Sequence, residues 1–126
     1  MHITQSGSTD LMQIVLNNDD FRRVIETGEH EQVVAMTLKE GEDIGSEVHP
    51  TTDQVFIFVA GEGEAVLDGR SQRFDDGDLV FVRAGTEHNI VNRGGVPLRL
   101  ITIYAPPEHA PGTVHRTKAE AQAEEH

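Results

Sequence analysis

The 126-residue chain predicts one all-β domain, a small sandwich or barrel. Its apolar residues arrive in short bursts and not in helical stripes. Those bursts are rich in Val, Ile, Thr and Phe, which fit a pleated, half-buried surface. Between them, 12 glycines and 5 prolines act as turn punctuation at close spacing. The length suits one core, and no internal repeat divides the chain into two barrels.

Strands are expected, in order, at Leu11–Val15, Phe21–Glu26, Glu31–Leu38, Gln54–Ala60, Glu64–Leu67, Arg70–Phe74, Leu79–Val82, Glu87–Val91 and Val96–Tyr104. The breaks carry turn chemistry, from Asn17-Asn18-Asp19-Asp20 through Asp75-Asp76-Gly77-Asp78 to Arg93-Gly94-Gly95. Asp68-Gly69 is the sharpest hairpin signal, because a type I′ turn needs φ > 0 at both central positions. After Tyr104 the character changes. Pro106, Pro107 and Pro111 break any sheet, and Thr117–Glu125 has good helix formers with almost no apolar face. Three regions follow: 1–30 with N-terminal strands, a barrel core at 31–105, and a tail at 106–126 that ends in a short helix.

The formal net charge of -12 repels phosphate backbones and anionic lipids, so neither nucleic acid nor membrane is an expected partner. Eight of the ten basic residues are arginines, the side chain better suited to binding carboxylate or phosphate. Arg22 and Arg23 differ in strand parity, so one is expected to face in and the other out. The absence of cysteine excludes disulfides and thiolate metal sites. The polar start, Met1 to Asp10, and the lack of a long apolar run make the cytoplasm the expected compartment.

Two constellations carry chemistry. In the first, Glu47 and His49 are two residues apart, so an extended backbone projects both from one face. A carboxylate and an imidazole there can share a metal ion. Gln54 or Asp53 follows. Gln54 shares parity with Phe56 and Phe58, Asp53 with Val55 and Ile57, and alternation does not choose between them. In the second, turns at Gly77 and Gly85 bracket the run Leu79–Val82, and His88 then opens a strand with Ile90 and Asn92 in the same parity. Taken singly, each histidine reads as an ordinary surface or hydrogen-bonded residue.

Together the two segments resemble the paired motifs of the cupin superfamily. The first motif starts at Gly41 and ends at Gly61. It has Glu47 in the slot of the first His, His49 in that of the second, and Gln54 in the Glu slot. The second matches at Gly77, Gly85, His88 and Asn92, with Arg83 where Pro is usual. The resemblance runs roughly from Val33 to Tyr104, and the tail further resembles small bacterial single-domain cupins labelled mannose-6-phosphate-isomerase-like, a label resting on fold.

The resemblance implies a jelly-roll (double-stranded β-helix) barrel. It implies one divalent transition metal ion (Mn, Fe, Ni or Zn) on Glu47, His49, Gln54 and His88, with Glu47 as catalytic base if it is not a ligand. The substrate would be a small polar molecule such as a sugar, sugar phosphate or hydroxy/keto acid, isomerised or dioxygenated. A non-catalytic ligand-binding module is the alternative. Phe56 and Phe58 either line the cavity or pack the core, and Arg83, at the barrel mouth, would meet an anionic substrate. His109 and His115 belong to the tail; they are expected in solvent unless the tail crosses the mouth. By the same resemblance the chain is a homodimer, paired through Leu11–Val15 and Phe21–Glu26.

Overall fold

The computed structural model describes residues 6–124. Helix α1 (Leu11–Leu16) precedes strands β1 (Arg22–Thr27), β2 (Gln32–Leu38), β3 (Asp53–Ala60), β4 (Gly63–Leu67), β5 (Arg70–Phe74), β6 (Leu79–Val82), β7 (His88–Asn92), β8 (Leu98–Ala105) and β9 (Val114–His115). Helix α2 (Lys118–Glu124) closes the described chain, and Glu125, expected at its end, lies outside the described residues. The strands form two antiparallel sheets. One has six strands in the order β6-β3-β8-β2-β1-β9, and the other three in the order β5-β4-β7.

The core lies between the sheets. Val34, Met36 and Leu38 of β2, Phe56 and Phe58 of β3, and Leu98 and Leu100 of β8 meet Ala65, Phe74 and Ile90 of the smaller sheet. Full burial of each large side chain contributes roughly 1.5–3 kcal/mol, and alternation fixes which face it serves. Asp68 (φ 49°) and Gly69 (φ 81°) make the expected hairpin between β4 and β5.

The expected strand Leu11–Val15 is a helix. The Asp10 side chain caps it by accepting from Gln13 N at 3.2 Å, one of the four donors a helix start leaves free. Leu11, Ile14 and Val15 stand at i, i+3 and i+4, and they pack with Ile25, Ala35 and Ile101 on the outer face of the large sheet. A five-residue apolar run cannot reveal its period; the outer sheet face supplies the partner that decides it.

The tail is also more structured than its composition suggests. β9 pairs with β1, setting His115 opposite Arg22 and Val114 opposite Arg23. Helix α2 then lies on the barrel with Ala121 buried in the main core cluster, tied to the loop before β3 by the ion pair Lys118–Asp43. The described residues contain no helix long and apolar enough to cross a membrane.

Candidate functional site

The loop before β3 runs beside β7 as a partial fourth strand of the small sheet. Asn92 N donates to Glu42 O at 2.9 Å, Ile44 N to Ile90 O at 3.1 Å, and Gly85 N to His49 O at 2.9 Å. Glu47 and His88 exchange both backbone hydrogen bonds at 2.9 Å. Directly opposed residues of an antiparallel pair project their side chains to one face. This pairing, 41 positions apart in sequence, is what joins the two constellations. Asn92 holds the far end: its Nδ2 donates to the carbonyls of Leu38, Lys39 and Val96, and its Oδ1 accepts from Gly94 N.

His88 is 1% exposed. Its Nδ1 lies 2.9 Å from Thr86 O. A carbonyl only accepts, so Nδ1 carries the proton and Nε2 presents a bare lone pair. Burial lowers the His88 pKa, against the pull of the Thr86 carbonyl, and keeps the ring neutral. The His49 ring centroid stands 5.4 Å from that of His88 and 5.9 Å from that of Tyr104. His49 Nε2 lies 3.1 Å from Glu47 Oε2, yet Nε2 is buried without an aligned hydrogen bond. At that distance the carboxylate attracts a protonated His49 ring. Contact with Glu47 raises the His49 pKa against the opposing effect of burial. Burial alone would raise the Glu47 carboxyl, but His49, Arg22 and His88 together hold it below its ordinary value.

The choice between Gln54 and Asp53 is settled by register. Gln54 is 2% exposed and sits opposite Tyr104 on β8, on the inner face with Phe56 and Phe58. Its Nε2 donates to Thr102 Oγ1 at 2.9 Å, and its Oε1 has no partner. Asp53 is exposed and accepts from Ala84 N at 2.9 Å.

The other expected contacts separate. The Phe56 ring reaches His88, with centroids 6.1 Å apart, while Phe58 stacks on Phe74 at 3.5 Å in the core, away from the histidines. Arg83 is exposed and lines no part of the cavity described next.

A cavity of ≈ 320 Å³ opens beside the histidines, with Arg22, Glu47 and His49 on the barrel side and Glu108, His109 and His115 of the tail across it. The tail thus covers the mouth, and His109 and His115 are not in free solvent. His115 Nδ1 lies 3.2 Å from Arg22 Nη1. Arginine only donates, so the His115 proton sits on Nε2, facing Glu124. His109 Nε2 lies 3.4 Å from the Tyr104 hydroxyl. Burial and the Arg22 charge depress His109 to about 4. Burial pushes the Tyr104 phenol up to about 12, with Arg22 pulling the other way. Sequence reading gave Arg22 only its parity and gave Tyr104, Glu108 and Glu124 no site role, because these contacts span long stretches of chain.

The cupin domain model matches residues 34–104. The chain is a cupin. This cupin is 49% identical over 116 residues to the uncharacterized protein YrkC of Bacillus subtilis, covering 86% of this chain and 61% of that one. It therefore spans about three fifths of that relative's length. The crystal structure of BH2720 from Bacillus halodurans superposes with a TM-score of 0.92 at 39% identity, over 95% of this cupin and 96% of that chain. A weaker likeness, 28% identity over 79 residues, links it to the mannose-1-phosphate guanylyltransferase of Escherichia coli, covering 63% of this chain and 16% of the enzyme.

Cupins often hold a metal ion, and the residues present can be tested against one. Among the described residues, no three His, Asp or Glu side chains stand arranged to hold an ion. The donor chemistry nevertheless fits. His49 Nε2, Gln54 Oε1 and His88 Nε2 are all buried without a hydrogen-bond partner. Buried polar atoms are normally satisfied, and imidazole nitrogens and an amide oxygen are ligand types suited to a divalent cation.

Proposed function

We propose that Glu47, His49, Gln54 and His88 hold one divalent transition metal ion (Mn, Fe, Ni or Zn). On this reading the cupin is an enzyme that isomerises or dioxygenates a small polar molecule, a sugar, sugar phosphate or hydroxy/keto acid, in the adjoining cavity. The observation that carries it is the set of three buried side-chain atoms without an aligned hydrogen bond, His49 Nε2, Gln54 Oε1 and His88 Nε2, with the Glu47 carboxylate beside His49. When bound, such an ion supplies Lewis acidity toward a substrate oxygen and, if it is iron, a site for O₂.

The chain's own groups do the rest. Thr86 fixes the His88 tautomer and Thr102 orients the Gln54 amide, so two donors are preset before an ion arrives. Glu47 is ionised at neutral pH and either completes the donor set or takes a proton from substrate as general base. The tail segment Glu108–His115 walls one side of the cavity. The partial likeness to a guanylyltransferase named for mannose 1-phosphate supports a sugar-phosphate-sized substrate and no particular reaction.

Metal analysis of protein purified without chelator tests the reading. Less than about 0.1 ion per chain, with no uptake of added Mn, Fe, Ni or Zn, overturns it. O₂ consumption on diketones and proton exchange at C2 of aldoses then separate the two reactions. The cavity also suits a non-catalytic binding module, which silence in both assays with ligand-induced thermal stabilisation would favour. We further expect a cytoplasmic homodimer, with the exposed Met12 and Leu16 of α1 near its interface. A monomer mass at micromolar concentration overturns that part.

A further inference from the structure

Arg22 is a charged side chain on an inner strand face, 3% exposed. β1 places it between Met36 of β2 and His115 of β9, so its backbone is fixed on both sides. A guanidinium carries a positive charge. A buried charge is ordinarily paired with an opposite one. Arg22 forms no ion pair with any carboxylate among the described residues. Its Nη1 meets the acceptor His115 Nδ1, the Tyr104 hydroxyl also bonds the guanidinium, its Cζ lies 5.3 Å from the Phe21 ring centroid, and its Nε is buried with no partner. The same side chain walls the ≈ 320 Å³ cavity that reaches Glu47 and His49.

A fixed guanidinium with a buried, unpartnered Nε–H, walling a cavity, is suited to take an anion. The rest of the lining limits the charge of that anion. Glu47, Glu108 and Glu124 border the same space, so a dianionic phosphoryl group would face three carboxylates against one guanidinium. A monoanion meets that field at lower cost. The cavity volume admits an acid of roughly three to six carbons.

We propose that Arg22 is the carboxylate-binding residue of this cavity and that its ligand is a small hydroxy or oxo monocarboxylic acid, lying with its carboxylate on Arg22 and its other oxygens toward His49 and Glu47. The placement of those other oxygens rests on the metal reading above; the anchoring of the carboxylate does not.

The test compares each acid with its neutral amide, D-gluconate against gluconamide and L-lactate against lactamide, by ligand-detected NMR and calorimetry. Both metal-free and Mn²⁺-loaded full-length protein are used. Wild-type protein is expected to bind at least one acid about 10- to 100-fold more tightly than its amide in both forms, the loss typical of a charged hydrogen-bonding group. Arg22→Gln removes that preference and Arg22→Lys keeps part of it, with thermal melts confirming that each folds. If Arg22→Gln does not fold, the wild-type acid–amide comparison decides alone. Equal binding of acid and amide, no binding of either acid, or tighter binding of inorganic phosphate than of both acids overturns the proposal. Failure of Mn²⁺ uptake with an intact acid preference in metal-free protein would instead sink the metal reading and leave Arg22 in its role.

Discussion

Replacing Gln54 by Glu changes one amide to a carboxyl of the same shape, so packing is conserved and the effect is electrostatic. In metal-free protein the new carboxyl is buried, since Gln54 is 2% exposed. Burial raises a carboxyl pKa. The sign follows: the penalty is absent below the unfolded value of about 4.3 and grows as pH rises through the folded value. An elevation of about two units costs about 2.7 kcal/mol at pH 7, or a fall of roughly 10 °C in Tm for a chain of this size. A divalent ion offsets part of this penalty, because the donor set then carries two negative charges in place of one. Tenfold tighter binding adds about 1.4 kcal/mol of stabilisation at a given saturating metal concentration. Thermal melts of wild type and Gln54→Glu, with EDTA and with about 1 mM Mn²⁺, measure both effects. The variant should melt lower in EDTA, and metal should raise its Tm by about 5 °C more than it raises that of wild type. A metal-induced shift no larger than wild type's would refute the placement of residue 54 among the donors.

His49→Ala and His88→Ala should each bring metal content below about 0.1 ion per chain, while Asp53→Ala, which alters an exposed side chain bonded to Ala84 N, leaves it unchanged; elemental analysis of the purified variants decides. Gly63→Ala should destabilise by about 3 kcal/mol or more in urea titrations, because the added Cβ would sit 2.1 Å from Val91 O and 2.8 Å from Phe74 Cζ; a loss under about 1 kcal/mol would show that the β4–β7 ladder yields. His109, held near 4 by burial and by Arg22, is neutral in the folded state. Its contribution is complete above the unfolded value of about 6.5 and is lost as pH falls to about 4, a change of at most about 3 kcal/mol. Urea titrations at pH 7 and pH 4.5 should therefore show a smaller loss of stability for His109→Gln than for wild type.

The sequence by itself determined the barrel and the two halves of the site. Period-2 bursts of β-branched and aromatic residues place β1 to β8 to within a residue or two, because alternation and turn chemistry are local properties of a pleated strand. The spacing of Gly61, Gly77, Gly85, His88 and Asn92 marked the family for the same reason. Tertiary structure decided the rest. Leu11–Leu16 is helical because the outer sheet face offers its apolar stripe a partner, which a five-residue run does not announce. Gln54 faces inward and Asp53 outward because of the β3–β8 register, where parity alone was balanced. Phe58 belongs to the core and Arg83 to the surface for the same kind of reason. The tail lies over the mouth through His115, Glu108 and Lys118, whose partners Arg22, Thr52 and Asp43 are 56 to 93 positions away. His49 and His88 began as two unremarkable histidines; the backbone pairing of Glu47 with His88 turns them into neighbours, their ring centroids 5.4 Å apart. Such pairings depend on where the chain returns to, and local residue patterns do not encode that.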